Sequence, residues 1–347
     1  MSGRSLGSRW WLLVLGGLFV LGVVVAASLA AGAIWWLQRP LPLAGNSVEL
    51  SIEPGSSPPQ VAEAWVQAGV QTSPRLLYEW FRWSGQARRI RAGSYQIEAG
   101  TSPRQLLDKM VQGDQALEQV RVIEGWTLRQ LRAELAKAPH LKQSTATMDE
   151  RSLMAAVGAP GQPGEGRFFP DTYAYSRGVS DLAVLKRAHR AMQQHLADAW
   201  AQRAVDTPLQ NPDQALILAS IVEKETGLAA DRGLVAAVFI NRLRLGMPLQ
   251  TDPTVIYGLG SAFDGNLRKR DLLADTPYNT YTRAGLPPTP IALPGLASLR
   301  AAVRPQPSKA LYFVARGDGS GGSVFSENLA EHNRAVNKHQ RGHEARP

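Results

Sequence analysis

The residues with the clearest chemical potential are two glutamates, Glu223 and Glu225, at the end of the stretch NPDQALILASIVEKETG that runs from Asn211 to Gly227. At about 100° per residue on a helix, Glu225 falls between Leu218 and Ile221 with Val222 one turn back, so it continues an apolar stripe. Glu223 shares its face with Leu216, Ala219 and Ser220 and has Lys224 beside it. Desolvation raises a carboxyl pKa, and the negative end of the helix dipole at this last turn acts in the same direction. A carboxylic acid still protonated near neutrality is the proton donor that glycosidic bond cleavage needs. The same window also reads as an ordinary solvated helix end with both glutamates in water.

The helix that carries the pair has readable ends. Asn211 is an N-cap, Pro212 suits the first helical position, and Gln214 is placed to complete a capping box. Gly227 is expected to stop the helix in a left-handed conformation. ALILASIV between them is apolar nearly all round, which predicts a buried helix. RGLVAAVFINRLRLG predicts a second buried helix, stopped by Gly246, and LYFVA and SVFS predict a hairpin across GDGSGG. That glycine run lacks the Lys-Ser/Thr of a phosphate loop and does not open directly into a helix. The segment from Asp275 to Pro294 is dense in Tyr, Asn, Thr and Pro, which fits an ordered sugar-gripping loop and equally a rigid proline-stiffened connection.

Composition narrows the class. Apart from an apolar N-terminal segment, the 347-residue chain suits about two domains, and without cysteine it has neither disulfides nor thiolate metal sites. The formal net charge of +9 favours an acidic partner such as anionic lipid, an anionic wall polymer or nucleic acid. No basic run with interleaved aromatics is present, so nucleic acid is not expected. His189 and His195 do not share a helix face, and no metal or cofactor is expected.

From Trp10 to Leu37 no residue carries a charge, and about 20 apolar residues suffice to span a bilayer. Arg4, Arg9 and the amino terminus precede the run and only Arg39 follows closely, which leaves residues 1–9 as a cytoplasmic tail and everything after 37 outside. A cleaved signal peptide is the alternative. The run exceeds a usual signal core and ends in the interface residues Trp35 and Trp36, which favours a retained helix.

After a linker at 38–47, three segments share a strand, a Gly turn and a helix start: SIEPGSSPPQV, QIEAGTSPRQL and VIEGWTLRQL. Ser57, Ser102 and Thr127 each stand three residues before a glutamine, the spacing of a capping box. Such units cannot bury their faces alone, which predicts one compact α+β module over 48–136, with a further helix at PRLLYEWFRW. A connecting region at 137–210 holds expected helices at Met148–Val157 and Asp181–Ala204, with the extended segment FFPDTYAYS between them.

IVEKET, VFINRLRLGMPLQTDPTVIYG, YNTYTRAGLPPTPIALPG, LYFVARGDGSGGSVFS and NLAEHNRAV, together with VIEGWT and FPDTY, resemble the YceG-like family of endolytic murein transglycosylases. The resemblance runs over nearly the whole chain and is densest from Leu216 to Val336. It implies an α+β protein: a single inner-membrane helix at 10–37, a periplasmic, small LysM-like α+β module at 48–136, a mixed α/β catalytic domain at 211–340 with a buried catalytic helix, and a tail at 341–347. It implies peptidoglycan glycan strands as substrate, peptidoglycan synthases as a further candidate partner, and termination of glycan elongation as the role. The family's acid, the second glutamate of its E-K-E motif, falls on Glu225. Asn279, Thr280, Tyr281, Tyr278 and Pro287 are the candidates for gripping sugar and stem peptide, and motif membership adds Thr251, Asp252 and Asn333 as cleft or supporting groups. Two other classes remain open: a lysozyme-type hydrolase pairing Glu225 with Asp252 or Glu223, and a non-enzymatic wall-binding scaffold.

Overall fold

The computed structural model describes the backbone of residues 7–341 and the side chains of residues 14–339. Residues 1–6 of the expected cytoplasmic tail and 342–347 of the expected C-terminal tail lie outside them. The chain divides into two compact units, Met1–Glu118 and Gln119–Pro347. Helices dominate both, and among the described residues the strands form three separate two-stranded sheets.

The first unit opens with α1 (Gly7–Gln38), whose segment Val14–Gln38 is long and apolar enough to cross a membrane and is nowhere buried by protein. β1 (Ser47–Ile52), α2 (Pro58–Gln67), α3 (Pro74–Trp83), β2 (Gly93–Glu98) and α4 (Pro103–Gln112) follow. β1 and β2 are antiparallel, with Val48 opposite Ile97 and Leu50 opposite Tyr95. The alternating residues of this ribbon cover a core of Trp65, Leu77, Phe81, Leu106, Leu107 and Met110, all fully buried. Trp65 places its indole N–H 3.2 Å from the Met110 sulfur, so the one polar atom of that ring is not orphaned. The expected capping boxes are present at Ser57 with Gln60 and at Ser102 with Gln105.

The second unit continues through β3 (Leu117–Arg121), α5 (Leu128–Lys137), α6 (Glu150–Val157), β4 (Thr172–Ser176) and α7 (Asp181–Ala201). Thr127 and Gln130 form the third capping box, but α5 packs in a core with Leu153, Phe168, Tyr175 and Leu185. The third copy of the repeat therefore belongs to the second unit, because its apolar face, Leu128, Leu131 and Leu135, meets partners there. His189 and His195 lie against Phe168 and Phe169 with ring centroids 5.9 and 4.1 Å apart.

The remaining elements are α8 (Pro212–Glu225), α9 (Arg232–Arg244), α10 (Asp252–Leu259), α11 (Lys269–Leu273), α12 (Leu296–Val303), β5 (Tyr312–Ala315), β6 (Ser323–Ser326) and α13 (Leu329–Val336). α7, α9, α10 and α12 pack around α8, and every residue from Ala215 to Val222 is buried. Asn211 caps α8 by accepting the Gln214 N–H at 2.9 Å. Gln214 reaches one residue beyond the cap and accepts the N–H of Gln210 at 2.8 Å, so the cap is not a closed box. Gly227 corrects the expectation of a left-handed stop. α8 is capped at Thr226, whose hydroxyl donates to the Val222 carbonyl at 2.6 Å, and Gly227 does not have positive φ. Its reason for being glycine is spatial: a Cβ there would meet the Gly321 carbonyl oxygen of the β5–β6 hairpin at 2.9 Å. Gly246 does adopt the expected conformation, with φ at 66°.

Candidate active site

Four segments converge on the last turn of α8: α9, the Pro248–Asp252 approach to α10, the loop that carries Tyr281, and the hairpin with α13. They enclose an open groove of about 670 Å³ lined by Glu225, Arg242, Gln250, Asp252, Tyr281, Tyr312 and His332 among others. Glu225 is half-buried in its wall. The buried Thr251 donates its hydroxyl hydrogen bond to Glu225 Oε1. Burial pushes the Glu225 carboxyl above the ordinary carboxylate range; the Thr251 hydrogen bond opposes this, and the neighbouring Asp252 charge adds to it. A carboxyl group in that state, open to a groove, can lend and retake a proton.

Thr251 is held in place from below. Its N–H donates to Thr280 Oγ1 at 3.1 Å, Thr254 Oγ1 lies 2.9 Å from the same hydroxyl, and the Gln250 N–H donates to the Thr280 carbonyl at 3.0 Å. Gln250 reaches this position with φ at 53°, a left-handed conformation that a residue with a Cβ adopts at a cost. Asn279 is fully buried, and its amide donates to the carbonyls of Leu272 and Ala274 at 3.0 and 2.6 Å while its oxygen accepts the Tyr281 N–H at 2.9 Å. Asn279 and Thr280 thus lie under the groove, fixing the loop that presents Tyr281. Tyr281 is half-buried in the groove, and its hydroxyl donates to Asp252 Oδ1 at 2.6 Å. Burial and the Asp252 carboxylate keep that phenol protonated.

Tyr278 lies outside the groove, its ring 5.0 Å from that of Tyr257 and its hydroxyl 2.7 Å from Thr289 Oγ1. Pro287 is buried, so its ring has no face to offer a ligand. Asn333 is exposed and does not line the groove; its neighbour His332 does, stacked on Tyr312 at 5.2 Å. Glu223 also points away, accepting the Gly295 N–H at 2.9 Å and so fastening the start of α12.

Arg242, His332, Tyr312 and Gln250 are groove residues absent from the sequence expectations. Arg242 is buried, with Nε on the Leu311 carbonyl at 2.7 Å, Nη1 on Pro248, Leu249 and Gln250, and its guanidinium 5.0 Å over the Tyr312 ring. A buried arginine must be hydrogen-bonded throughout. Its place just after the apolar run LVAAVFI of a helix expected to be buried was the signal available in the sequence. Burial, then the Arg242 charge, hold His332 below the usual histidine range.

The model of the YceG-like family matches residues 50–338. A protein from Bacillus subtilis (strain 168) named endolytic murein transglycosylase is 31% identical over 316 residues, 85% of this chain and 85% of its own length. One of the same name from Streptococcus pneumoniae serotype 2 is 27% identical over 365 residues, 91% of this chain but 64% of its own length. The crystal structure of a yceG-like protein from Listeria monocytogenes superposes with a TM-score of 0.54 at 30% identity, covering 83% of this chain and 98% of that one. On a match that spans most of its length and the whole of the groove, the chain belongs to the YceG-like family.

Proposed function

We propose that this protein is a lytic transglycosylase that cuts peptidoglycan strands internally, at the β-1,4 bond between N-acetylmuramic acid and N-acetylglucosamine, with Glu225 as its single acid and base. The observation that carries the reading is a carboxyl group raised by burial above the ordinary carboxylate range yet facing an open groove, in a chain whose relatives bear that activity in their names. Protonated Glu225 gives its proton to the bridging oxygen as the C1–O bond breaks, so N-acetylglucosamine leaves with a 4-hydroxyl. The carboxylate then takes the proton of the muramyl 6-hydroxyl as that oxygen bonds to C1, which closes a 1,6-anhydro ring and restores the acid. Thr251 aims the carboxyl group through its hydrogen bond, while Asp252, Tyr281 and Arg242 give the groove a polar lining suited to sugar hydroxyls. Asn279 and Thr280 support Tyr281 and Thr251 from beneath.

Asp252 lines the same groove, which keeps a two-carboxylate hydrolase as the second reading. Its first oxygen is taken by Tyr281, and no water needs activation in the one-carboxylate route. The helix α1 would hold the groove on the outer face of the inner membrane, where new strands emerge, so cutting there would terminate their growth. The β–α–α–β core of the first unit supports a LysM-like module that holds glycan nearby. Digestion of murein by the purified protein is expected to yield ends lighter by one water than hydrolysed ends. Glu225→Gln should lower that yield by about 10²–10⁴-fold, the usual share of general acid–base catalysis. Hydrated reducing ends, or an undiminished Gln variant, would sink the reading.

A further inference from the structure

A second and larger cleft, about 1070 Å³, is lined by residues next in sequence to those of the groove. Neighbouring residues of the same segments divide between the two spaces. On α8, Lys224 faces the cleft and Glu225 the groove; at the start of α10, Pro253 faces the cleft and Asp252 the groove. Tyr278 lines the cleft and Tyr281, three residues on in the same loop, lines the groove. A polymer seated in the groove would therefore carry its side branches within reach of the cleft.

The cleft has the chemistry of a peptide site. The rings of Tyr257 and Tyr278 meet edge to face at 5.0 Å and give it an apolar wall. Arg129, Arg132 and Lys224 line it as cations, against the carboxyls of Glu150 and Glu165. Arg132 is partly engaged, with Nη2 on the Thr145 and Met148 carbonyls at 3.0 and 2.7 Å; Arg129 and Lys224 are exposed, and Lys224 Nζ makes one long hydrogen bond, to the Gly125 carbonyl at 3.5 Å. Glu150 accepts the Gly164 N–H at 2.6 Å. Glu165 is buried at the cleft's base, accepts the Leu128 N–H at 2.9 Å and the Tyr257 hydroxyl at 3.2 Å, and burial pushes it up to about 7, which removes much of its negative charge near neutrality. A peptide of four or five residues extends over roughly 15 Å, and a volume near 10³ Å³ is the scale at which small ligands are enclosed.

We infer that this cleft binds the short peptide borne by the muramic acid of the strand under attack, with its free carboxylates on Arg129 and Lys224. The inference rests on the murein-cutting reading above and adds to it a reason why strands bearing peptides would be preferred. Carboxylate pairing with two cations, each bond charge-assisted, accounts for about tenfold in relative rate.

The test compares peptide-bearing, uncrosslinked strands with strands stripped by an amidase, using the full chain in detergent. The natural protein is expected to release anhydro ends faster from peptide-bearing strands, and Arg129→Gln combined with Lys224→Gln to lower the ratio of the two rates about tenfold. An unchanged ratio, or an equal loss on both strands, overturns the inference. Calorimetric titration with the free peptide supplies a separate readout: the double variant should weaken binding by a similar factor, and undiminished binding again overturns it. If neither strand yields anhydro ends, the murein-cutting reading fails, and the titration alone still decides what the cleft holds.

Discussion

At the scale of single residues, the groove depends on how one carboxyl group is surrounded. Glu225 is raised by burial and by Asp252 and restrained by Thr251. A hydrogen bond donated to a carboxylate favours its ionised form, so removing it raises the pKa further. The proton-donating form is the protonated one, and its rate falls as pH rises through that pKa. Thr251→Val should therefore move the alkaline limb of the pH–rate profile to higher pH, while the loss of aim lowers the maximal rate by about tenfold, the worth of one such hydrogen bond. A limb that stayed in place would separate Thr251 from the proposed acid.

Glu165 offers a stability measurement at the same scale. Its carboxyl is raised from 4.5 to about 7 by burial. Below pH 4.5 it is protonated folded or unfolded and has no effect. Between 4.5 and 7 the folded state holds the proton that the unfolded state releases, so stability falls as pH rises; above 7 the loss is complete, at about 3 kcal/mol. Denaturant midpoints from pH 4.5 to 8 should show this decline in the natural protein, and Glu165→Gln should flatten it.

At the scale of elements, the groove exists because α8 is clamped on all sides and its last turn is left open. Ser220 donates to the Ile217 carbonyl and accepts the Ile291 N–H at 3.0 Å, which ties the proline-rich loop to the helix. Glu223 fastens α12, and Gly227 lets the hairpin backbone close over the helix end. A methyl group at Gly227 would strike the Gly321 carbonyl, backbone against backbone, with no flexible side chain to give way. Gly227→Ala should lift the hairpin tip from α8 and speed proteolysis within 317–321, at a cost of about 1–3 kcal/mol in stability. Unaltered cleavage there would show that the hairpin does not need this approach.

At the scale of the whole molecule, the apolar helix and the second unit have separate logics: one is exposed from Val14 to Trp35 and the other is closed around its own cores. An apolar helix of that length, covered only at its end where Trp36 packs on the first unit, is stable only in a bilayer or detergent. The full chain is expected to stay with membranes through an alkaline carbonate wash and to need detergent for release. Recovery in the washed supernatant would count against the proposed anchor.

Periodicity and caps carried much of the architecture, because they are local. The apolar run of α8, its Asn211 cap, the three Ser/Thr-to-Gln spacings and the hairpin strands could all be read without a tertiary structure. Glu225's place on the apolar stripe was equally local, since a helix fixes which residues share a face. What needed the tertiary structure were facts about neighbours distant in sequence. Asn279, Thr280 and Pro287 lie beneath the surface, Gly227 is glycine because a hairpin some ninety residues later passes over it, and Arg242 and His332 meet in one groove from α9 and α13. A motif shows that residues belong together, while burial and direction arise only when long-range packing decides which atoms are covered.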